Sequence, residues 1–590
     1  MAREIGRVAG MRLFLALAGA GGGLSFYLLV DVFDRTVVEP RLHLFLSAFA
    51  AVFFGALLAL AGPLRVVRAI VSALVLAAPA AGLLLWASAR FADPAQLIHA
   101  PESMLAGFLL AALPLPYLIA AAGPEGWRHY PTLFSQSWSI VVRYAAAWLF
   151  VGVAWVVVTL SDALFGLVGL HVIHDLLEID AVPFVFSGFI LGLALAVINE
   201  LSDYVSPFLV LRLLRLLLPV VTVVVAVFLL ALPLRGLTDL FGQLSVATTL
   251  LMMAVAAATL ISTALDESNS EAVRHPVMLV SVQALALMLP VLAGLAGWAM
   301  WLRVGQYGLT PARIAGVTGS GLVLVYGLLY AVSVLLRGRW MVRIRRGNTV
   351  MALAVIALAA LWLTPLFNAE EISARNQLAR YTSGEVGADR IDLASLQDRL
   401  GLAGAAALEQ LRALSQTEGH DALRARLEQF DNAPLRPGQP LTAGDAERLR
   451  AQLRELLPLR PEDGAGLRDA VLAAAAPEDL RTWLTACRRP LPDGRPGCVL
   501  VAGDFLPDHP GSEALLFYRD ATGFLRIDAF SPEGDGTAIG RPATTELTRL
   551  GTGGEPAAAT LARLLDGRFT IGPAALNALR LEERQFLILP

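Results

Sequence analysis

The fold is decided by the segment Arg337-Gly-Arg-Trp-Met-Val-Arg-Ile-Arg-Arg346 and by the apolar run from Thr349 to Phe367 that follows it. A membrane-spanning helix takes about 20 mostly apolar residues, and the run is close to that length. Polar sequence begins directly after it, with Asn368-Ala-Glu-Glu371. The segment therefore predicts the last crossing of a membrane, with membrane helices before it and a soluble domain after it.

The composition supports a membrane protein. Hydrophobic residues make up 56% of the 590 residues, charged residues only 16%, and the mean hydropathy is +0.64. Soluble proteins carry about 25% charged residues, so this chain is predicted to be a polytopic membrane protein whose main partner is the lipid bilayer. The net charge of -3 and the lack of a basic face with interleaved aromatics predict no nucleic-acid partner. All fixed positive side chains are arginine, which is typical of a GC-rich bacterium.

Roughly eleven segments satisfy the length rule for a span. They are 12–31, 42–62, 67–89, 104–122, 143–165, 183–201, 213–234, 243–265, 276–300, 312–336 and 349–367. The first follows Arg3, Arg7 and Arg12 but is longer than the core of a signal peptide. It is therefore predicted to be an uncleaved transmembrane helix.

Arginines in short loops indicate the cytoplasmic side of a membrane protein. With the N-terminus inside, the cytoplasmic loops contain Arg65, Arg68, Arg128, Arg143, Arg212, Arg215, Arg274 and the cluster Arg337–Arg346. The outer loops contain Asp31, Asp34, Glu39, Asp93, Glu102, Asp162, Asp175, Glu178 and Asp180, while Arg35, Arg41, Arg90, Arg235, Arg303 and Arg313 run against the bias. With a cytoplasmic N-terminus, an odd number of spans then predicts that the C-terminal domain lies outside, in a periplasm-like compartment.

The C-terminal part is predicted to be a soluble α+β domain, residues 369–590, following a transmembrane domain of residues 1–368. Leucines at three- and four-residue steps predict short amphipathic helices over 369–484, the first capped by Asn368 with Glu371 in the capping-box position. From 498 to 590 short apolar or alternating runs predict strands. These runs are Val499–Val501, Ala514–Tyr518, Phe524–Phe530 and Gln585–Pro590.

The two cysteines, Cys487 and Cys498, lie in this domain and bracket a turn-rich loop. Paired cysteines are typical of an oxidising compartment, so a disulfide is predicted. Two unrelated buried thiols are the alternative, because spacing alone does not define the geometry.

Sequence motifs indicate little chemistry. The chain has no phosphate-binding glycine loop ending in Lys-Ser/Thr, no Gly-x-Ser-x-Gly and no His-Glu-x-x-His. This disfavours an ATP-driven pump on one chain, but not a secondary transporter. We expect no cofactor, and an enzyme is the less favoured class.

Two weak candidate sites lie in the outer loops. His171, His174, Asp175 and Glu178 would share one face of a helix, so they are metal-ligand candidates; an amphipathic segment on the membrane surface is the favoured alternative. Asp31 and Asp34 follow the first span, where multi-span glycosyltransferases carry a catalytic acid. That likeness is architectural only, because the loop is far shorter than such enzymes use.

Polar and proline residues within or beside the spans are further candidates. Asn199 and Glu200 end the sixth span, where water or Arg212 and Arg215 are expected to satisfy them. Prolines occur at Pro114, Pro116, Pro219 and Pro290. Broken helices point to transporter sites, although kinked packing is the commoner outcome.

The post-membrane segment resembles a known family. Asn368, Ile372, Ser373, Gln377, Leu378, Arg380, Ser383, Gly384, Val386, Asp392 and Leu396 are similar to that segment in domain of unknown function 4153, as is Ser206-Pro207-Phe208 before Arg212, Arg215 and Pro219. The chain departs from the pattern at Ile391 and at Leu400-Gly-Leu-Ala-Gly404. The resemblance implies a bacterial inner-membrane protein of unassigned activity and supplies no catalytic residue.

The sequence thus predicts a membrane-embedded envelope component that transports or scaffolds, with periplasmic or envelope proteins as partners. A sensor that receives a signal through the outer domain and a glycosyltransferase-like enzyme are the alternatives.

Overall fold

The computed structural model describes residues 2–33, 39–200, 207–235, 246–431, 443–462, 465–505, 512–520, 523–533, 538–540, 557–572, 578–581 and 584–587. The chain divides into two compact units, Met1–Pro434 and Leu435–Pro590.

The first unit is entirely helical in its described residues. Its helices are α1 (Ala2–Tyr27), α2 (Pro40–Leu60), α3 (Val66–Ser88), α4 (Pro101–Ala112), α5 (Pro114–Ala122), α6 (Tyr130–Leu167), α7 (Val172–Leu177), α8 (Ala181–Glu200), α9 (Pro207–Arg235), α10 (Val246–Leu265), α11 (Pro276–Tyr307), α12 (Pro311–Leu335), α13 (Trp340–Trp362), α14 (Ala369–Thr382), α15 (Leu393–Asp398), α16 (Gly401–Ser415) and α17 (Asp421–Asp431). A π-helical turn, Leu28–Val32, extends α1, and 3₁₀ turns occupy Pro94–Leu97 and Ala388–Arg390.

Within these ranges, eleven helical segments are long and apolar enough to cross a membrane, with α4 and α5 together forming one of them. The predicted polytopic α-helical class and the count of about eleven spans are confirmed, and the protein is a multi-pass membrane protein.

Two spans begin earlier than predicted. Helix α6 starts at Tyr130 rather than near 143, and Arg143 lies buried within it, donating to the Ser139 carbonyl at 3.2 Å. Helix α13 starts at Trp340 rather than 349, because Arg345 donates its guanidinium to neighbouring backbone instead of water. Hydropathy alone stops a predicted span at an arginine, whereas a buried hydrogen-bonding partner lets the helix continue.

Helices α1 and α8 pack antiparallel with their backbones in direct contact. Glycines four residues apart face each other, Gly19 and Gly23 on α1 and Gly188 and Gly192 on α8, and a Cβ at any of them would collide with backbone of the other helix. Small residues at this spacing let membrane helices gain van der Waals contact at close range. This glycine seam therefore joins the first and sixth spans rigidly.

The polar helices α14–α17 belong to the first unit. The predicted change from membrane to soluble sequence at 368/369 thus lies inside a compact unit that extends to Pro434. Asn368 accepts a hydrogen bond from the Glu371 backbone nitrogen at 3.1 Å, which confirms the predicted cap of α14. Leu396, Leu411 and Leu423 are fully buried in a small core of these helices, as the leucine spacing predicts.

The second unit is α+β. Its elements are α18 (Ala443–Leu456), β1 (Leu459–Arg460), α19 (Ala465–Ala474), α20 (Pro477–Cys487), β2 (Cys498–Gly503), β3 (Glu513–Arg519), β4 (Leu525–Glu533), β5 (Ala538–Gly540), α21 (Ala557–Leu565), β6 (Ala578–Leu581) and β7 (Arg584–Leu587). The main sheet has the order β1-β2-β3-β4-β5, with β1 parallel to β2 and the other neighbours antiparallel, and β6 pairs with β7. The predicted strands near 499, 514, 524 and 585 are confirmed.

The core of this unit lies between the sheet and helices α18–α20. Trp483, Leu500 and Leu516 are fully buried there, and the Trp483 indole donates to the Asp528 carboxylate at 2.8 Å. Alternation along β3, with Ala514 and Leu516 inward, orients the sheet toward the helices. The predicted small sheet packed by helices is confirmed.

Candidate functional site

The fourth span has a break in its backbone hydrogen bonding at its middle, where two prolines occur. Helix α4 ends at Ala112 and α5 begins at Pro114. Proline has no backbone N–H, so Pro114 and Pro116 supply no helical hydrogen bond to the carbonyls four residues earlier, those of Leu110 and Ala112. By contrast Pro219 and Pro290 lie inside continuous helices, α9 and α11. Leu113, between α4 and α5, keeps helical dihedral angles (φ -67°, ψ -30°) and donates to the Leu109 carbonyl at 3.0 Å. The fourth span is therefore one proline-kinked helix with gaps in its backbone hydrogen bonding.

A half-open cavity of about 530 Å³ lies beside this break. Residues of α5, α6, α10, α12 and α13 line it, together with the break itself at Ala112, Leu113 and Pro116. Its volume falls in the range of about 300–1,000 Å³ typical of small-molecule sites. Most of the lining is apolar, and among the described residues that line it none carries a charge.

A network of uncharged polar groups forms one side of the cavity. Tyr330 donates to the Asn348 side-chain oxygen at 2.7 Å, and its hydroxyl oxygen lies 2.9 Å from Ser262 Oγ. The Asn348 amide nitrogen donates to Ser262 Oγ and to Tyr130 Oη, each at 3.2 Å. Tyr117 donates to the Thr349 backbone carbonyl at 3.0 Å. Helices α5, α6, α10, α12 and α13 thus meet through hydroxyl and amide groups.

Assigning each hydroxyl and amide proton of this network to an acceptor shows which donor has none. The Tyr330 hydroxyl proton goes to Asn348, the Ser262 proton therefore goes to Tyr330, and both Asn348 amide protons are used. Tyr130 accepts from Asn348, and its own proton has no acceptor among the described residues. Since Tyr130 lines the cavity, it offers a hydrogen-bond donor to whatever occupies the space.

The basic cluster at the start of α13 does not direct its buried charge into this network. Arg345, 7% exposed, donates to the Asp266 carbonyl at 3.0 Å, to the Leu265 carbonyl and to the Asn269 side chain at 2.6 Å. These groups form the C-terminal end of α10 and the turn after it, where cations are favourable. Arg345 therefore fastens α10 to α13 and leaves the cavity uncharged.

The opposite end of α13 carries a buried ion pair. Arg90, just after α3, pairs with Glu370 at 2.9 Å, and their side chains are 7% and 3% exposed. Arg90 also donates to the carbonyls of Trp362, Thr364 and Phe367 at 2.6, 2.9 and 3.1 Å. One arginine thus satisfies the end of α13 and joins it to α3 and α14. These contacts explain why Arg90 lies in a predicted outer loop, against the arginine bias of the short loops.

Helix α14 fastens a second pair of spans. Gln377 donates to the carbonyls of Tyr307 and Leu309 at 3.2 and 3.1 Å, and Arg380 donates to those of Gly305 and Gln306 at 3.0 and 3.3 Å. Asn376 accepts from the Leu309 nitrogen at 2.8 Å. These groups belong to the end of α11 and its turn into α12. We call Arg90, Glu370, Asn376, Gln377 and Arg380 the polar clamp.

The histidine cluster is not assembled as a metal site. His174 lies 3.8 Å from an Asp162 carboxylate oxygen and 3.4 Å from one of Glu178, while His171 precedes the short helix α7. In the described part of the chain no three His, Cys, Asp or Glu side chains are grouped so as to hold a metal ion. The exposed Leu176 and Ile179 suit the alternative of a segment on the membrane surface.

The two acidic candidates near the first span stay hypotheses. Asp31 lies half-buried in the π-helical turn that ends this span, and Asp34 lies outside the described residues. The structure therefore adds no geometry in favour of the transferase alternative.

The polar residues at the end of the sixth span pair with Arg12 and Arg143, and not with the predicted Arg212 and Arg215. Glu200 accepts from Arg12 of α1 at 2.9 Å, and Asn199 accepts from Arg143 of α6. Arg215 instead pairs with Asp266 and donates to the Thr263 carbonyl at 2.9 Å. Helix α8 packs against α1 and α6, which places those helices' arginines at its end.

The two cysteines are joined. Cys487 ends α20, Cys498 begins β2, and a disulfide links them with a Cα–Cα distance of 4.8 Å. The bond closes the turn-rich loop of the second unit, in keeping with the predicted pairing.

Sequence reasoning missed the cavity network and the glycine seam. A known sequence pattern could have predicted the glycine seam. Packed membrane helices often carry small residues four positions apart, as in the pairs Gly19/Gly23 and Gly188/Gly192. The network's signal was weaker: Asn348 is an amide placed between the basic cluster and the apolar run.

Comparison with known proteins identifies a family. The model of domain of unknown function (DUF4153) matches residues 44–411, more than half of the 590. This range includes the cavity and the polar clamp. No curated protein and no solved structure matches the chain.

Proposed function

We propose that this chain, which belongs to the DUF4153 family, is a transport protein of a bacterial inner membrane, and that the cavity beside the proline-kinked fourth span is its substrate site. The observation that carries the proposal is the coincidence of three features at one place: a span kinked by two prolines, a ligand-sized cavity, and uncharged polar groups from five helices.

A break in the backbone hydrogen bonding of a span supports transport for a physical reason. In the membrane interior every backbone group needs a partner, so an interrupted helix is tolerated where it lines a cavity or is buried in protein. Transporters use such interruptions to present backbone groups to a substrate. Here Ala112 and Leu113 line the cavity directly, so the break and the space belong together. The continuous helices around Pro219 and Pro290 line no part of it.

The polar clamp supports the same proposal. Transport requires some helices to move relative to others that stay fixed. The clamp joins α3, α11, α12, α13 and α14 at one end of the unit by charged and amide groups. The cavity lies toward the other end of α13, where its lining groups are uncharged and Arg345 joins α13 to α10 beside it. Movement is therefore expected between α6 and the joined helices α10 and α13, with the clamped ends as the pivot.

The proposed orientation has a cytoplasmic N-terminus and a periplasmic second unit. The arginine bias of the short loops supports it, and so does the disulfide, since such bonds persist in oxidising compartments. In this orientation the cavity lies near the cytoplasmic side, and the second unit is available to periplasmic or envelope proteins.

Thiol reactivity at the cavity tests the transport proposal. Ser137 lines the cavity, and both native cysteines are in the disulfide, so Ser137→Cys adds a single free thiol. A small uncharged, membrane-impermeant thiol reagent, a glycosyl methanethiosulfonate, should modify it when applied from either side, in right-side-out and in inverted vesicles. Ser281→Cys, on α11 and buried away from the cavity, is the matched control and should stay unreactive. Reactivity of Ser137→Cys from one side only would contradict alternating access.

Labelling of the native cysteines tests the orientation separately. In intact spheroplasts an impermeant reagent should modify Cys487 and Cys498 only after reduction. Modification that requires opening of the inner membrane, and no reductant, would place the second unit in the cytoplasm.

A further inference from the structure

The structure assigns the cavity a class of ligand: we infer that it binds an uncharged lipid that carries a free hydroxyl group beside its apolar chains. The inference deepens the proposed function. It rests on that proposal for the movement of the ligand, whereas binding itself follows from the cavity alone.

The ligand is uncharged because the cavity offers nothing to balance a charge. None of the described lining residues is Asp, Glu, Arg or His. Arg345 lies one helical turn before Asn348, but three oxygens of the α10 end occupy its guanidinium. An unpaired phosphate or ammonium in this apolar setting would be strongly disfavoured by the loss of its hydration.

A hydroxyl fits the polar side of the cavity because both a donor and acceptors are available there. The Tyr130 hydroxyl proton has no acceptor among the described residues. Tyr117 Oη has donated its own proton to the Thr349 carbonyl and keeps its lone pairs, and the Ala112 carbonyl receives no N–H from Pro116. A hydroxyl is a small uncharged group that can accept a hydrogen bond from Tyr130 and donate one to Tyr117 Oη or to the Ala112 carbonyl. An ester or ether oxygen would only accept.

The rest of the lining matches apolar chains. Leu133, Phe134, Trp138, Val255 and Val355 line the cavity, and it is half open. The cavity lies among helices that cross the membrane, so chains longer than the enclosed space extend into the bilayer. A hydroxyl-terminated lipid therefore satisfies the polar side, the apolar side and the opening together. Diacylglycerols and polyprenols share this chemistry.

Competition for a photoreactive lipid tests the inference. The purified full-length protein in lipid nanodiscs is irradiated with a diacylglycerol that carries a diazirine in its acyl chain, and the cross-linked peptides are identified by mass spectrometry. We expect labelling within α5, α6, α10, α12 or α13 that unlabelled diacylglycerol or a polyprenol displaces, and the better competitor identifies the source. Phosphatidic acid, which has the same chains and a charged phosphate, should compete at least 10-fold more weakly. Equal competition by phosphatidic acid, or labelling that no hydroxyl lipid displaces, would overturn the inference.

Three variants connect the result to named atoms. Tyr130→Phe keeps the ring and removes the donor, and should weaken competition by the hydroxyl lipid about 3- to 10-fold, the value of one hydrogen bond. Tyr144→Phe removes a hydroxyl from the same helix that is bonded to the Gly55 carbonyl at 2.6 Å, outside the cavity, and should leave competition unchanged. Ala258→Phe fills the space and should abolish the displaceable labelling.

The outcomes separate this inference from the transport proposal. Displaceable, Tyr130-dependent labelling together with one-sided thiol reactivity would support the ligand class and contradict transport. Two-sided reactivity with no displaceable labelling would support transport and overturn the ligand class. Equal loss in Tyr130→Phe and Tyr144→Phe would show a general effect on folding and would also count against the ligand class.

Discussion

The Arg90 site at the C-terminal end of helix α13 and the Asn348 network nearer its N-terminal end are built on opposite principles. At its C-terminal end, Arg90 places a full charge in a nearly dry site, and Glu370 and three carbonyls satisfy it. Near its N-terminal end, Asn348 meets hydroxyl groups from three other helices, and one hydroxyl proton remains unused. A buried charge tolerates no missing partner, because its desolvation is not otherwise balanced. An uncharged network tolerates exchange of partners, which is what a binding site needs.

The difference assigns separate roles to the two ends. The polar clamp holds the ends of spans that are distant in sequence, and the helix after the membrane, α14, supplies most of its groups. The cavity has the opposite character, since a proline kink and a spare donor face open space. We therefore expect substitutions at the clamp to change stability, and substitutions at the cavity to change binding.

Arg90→Met should have the largest effect on stability. It leaves Glu370 buried without its partner and three carbonyls without a donor, so the free energy of unfolding should fall by about 3–5 kcal/mol. Unfolding in mild detergent, followed by tryptophan fluorescence, measures the change. The double variant with Glu370→Gln should recover part of the loss, because it removes the orphaned charge.

Arg375→Ala is the matched control for the clamp. Arg375 pairs with Glu371 on the same helix but is 79% exposed, so its loss should cost less than about 0.5 kcal/mol. Equal costs for Arg90→Met and Arg375→Ala would mean that burial does not distinguish the clamp from a surface ion pair.

Gly188→Ala should have the second-largest effect on stability. Its methyl group would collide with the Gly19 carbonyl on α1, and overpacking of this kind costs about 1–3 kcal/mol. Gly82→Ala on α3, where an added Cβ meets nothing, is the control and should be neutral or slightly stabilising. If both substitutions are tolerated alike, the glycine seam is not a close contact and only the clamp fixes the spans.

Substitutions in the cavity network should have the smallest effects on the free energy of unfolding, and two tyrosines of the network should differ in their effect. Tyr330→Phe removes a hydroxyl that serves both Asn348 and Ser262 and should cost about 1–2 kcal/mol. Tyr130→Phe removes only an acceptor for Asn348 and should cost about 0.5–1 kcal/mol while lowering ligand competition. Unfolding of the two variants under identical conditions compares them. A larger loss of stability in Tyr130→Phe would show that its hydroxyl serves the fold rather than a ligand.

The sequence predicts local features well because their causes are local. Span length and hydropathy reveal the membrane helices, and Asn368 followed by Glu371 reveals the cap of α14. Alternating apolar residues reveal the strands after Cys498. Each of these depends on residues that are neighbours along the chain.

The cavity and the clamp escape such reasoning because they join residues that are far apart in sequence. Tyr130 and Asn348 are 218 positions apart, and Arg90 and Glu370 are 280. Arg90 even ran against the loop-charge bias, since its partner lies beyond the last span. Contacts of the histidine candidates also depend on the fold: in the described structure His174 contacts the carboxylates of Asp162 and Glu178. The motif of the post-membrane segment pointed to the right place, because Gln377 and Arg380 belong to the clamp.

A pair of distances tests the central claim, that the cavity end moves while the clamped end stays fixed. Spin labels are attached to Val141→Cys and Val255→Cys, on α6 and α10 beside the cavity, and in a second sample to Ala92→Cys and Leu366→Cys, on the two chain segments joined by Arg90. Electron paramagnetic resonance in nanodiscs then gives both distance distributions with and without diacylglycerol. We predict two distances for the cavity pair, whose populations shift with the lipid, and one narrow, unchanged distance for the clamp pair. A single unchanged distance for the cavity pair, or a clamp pair that moves with it, would contradict the account.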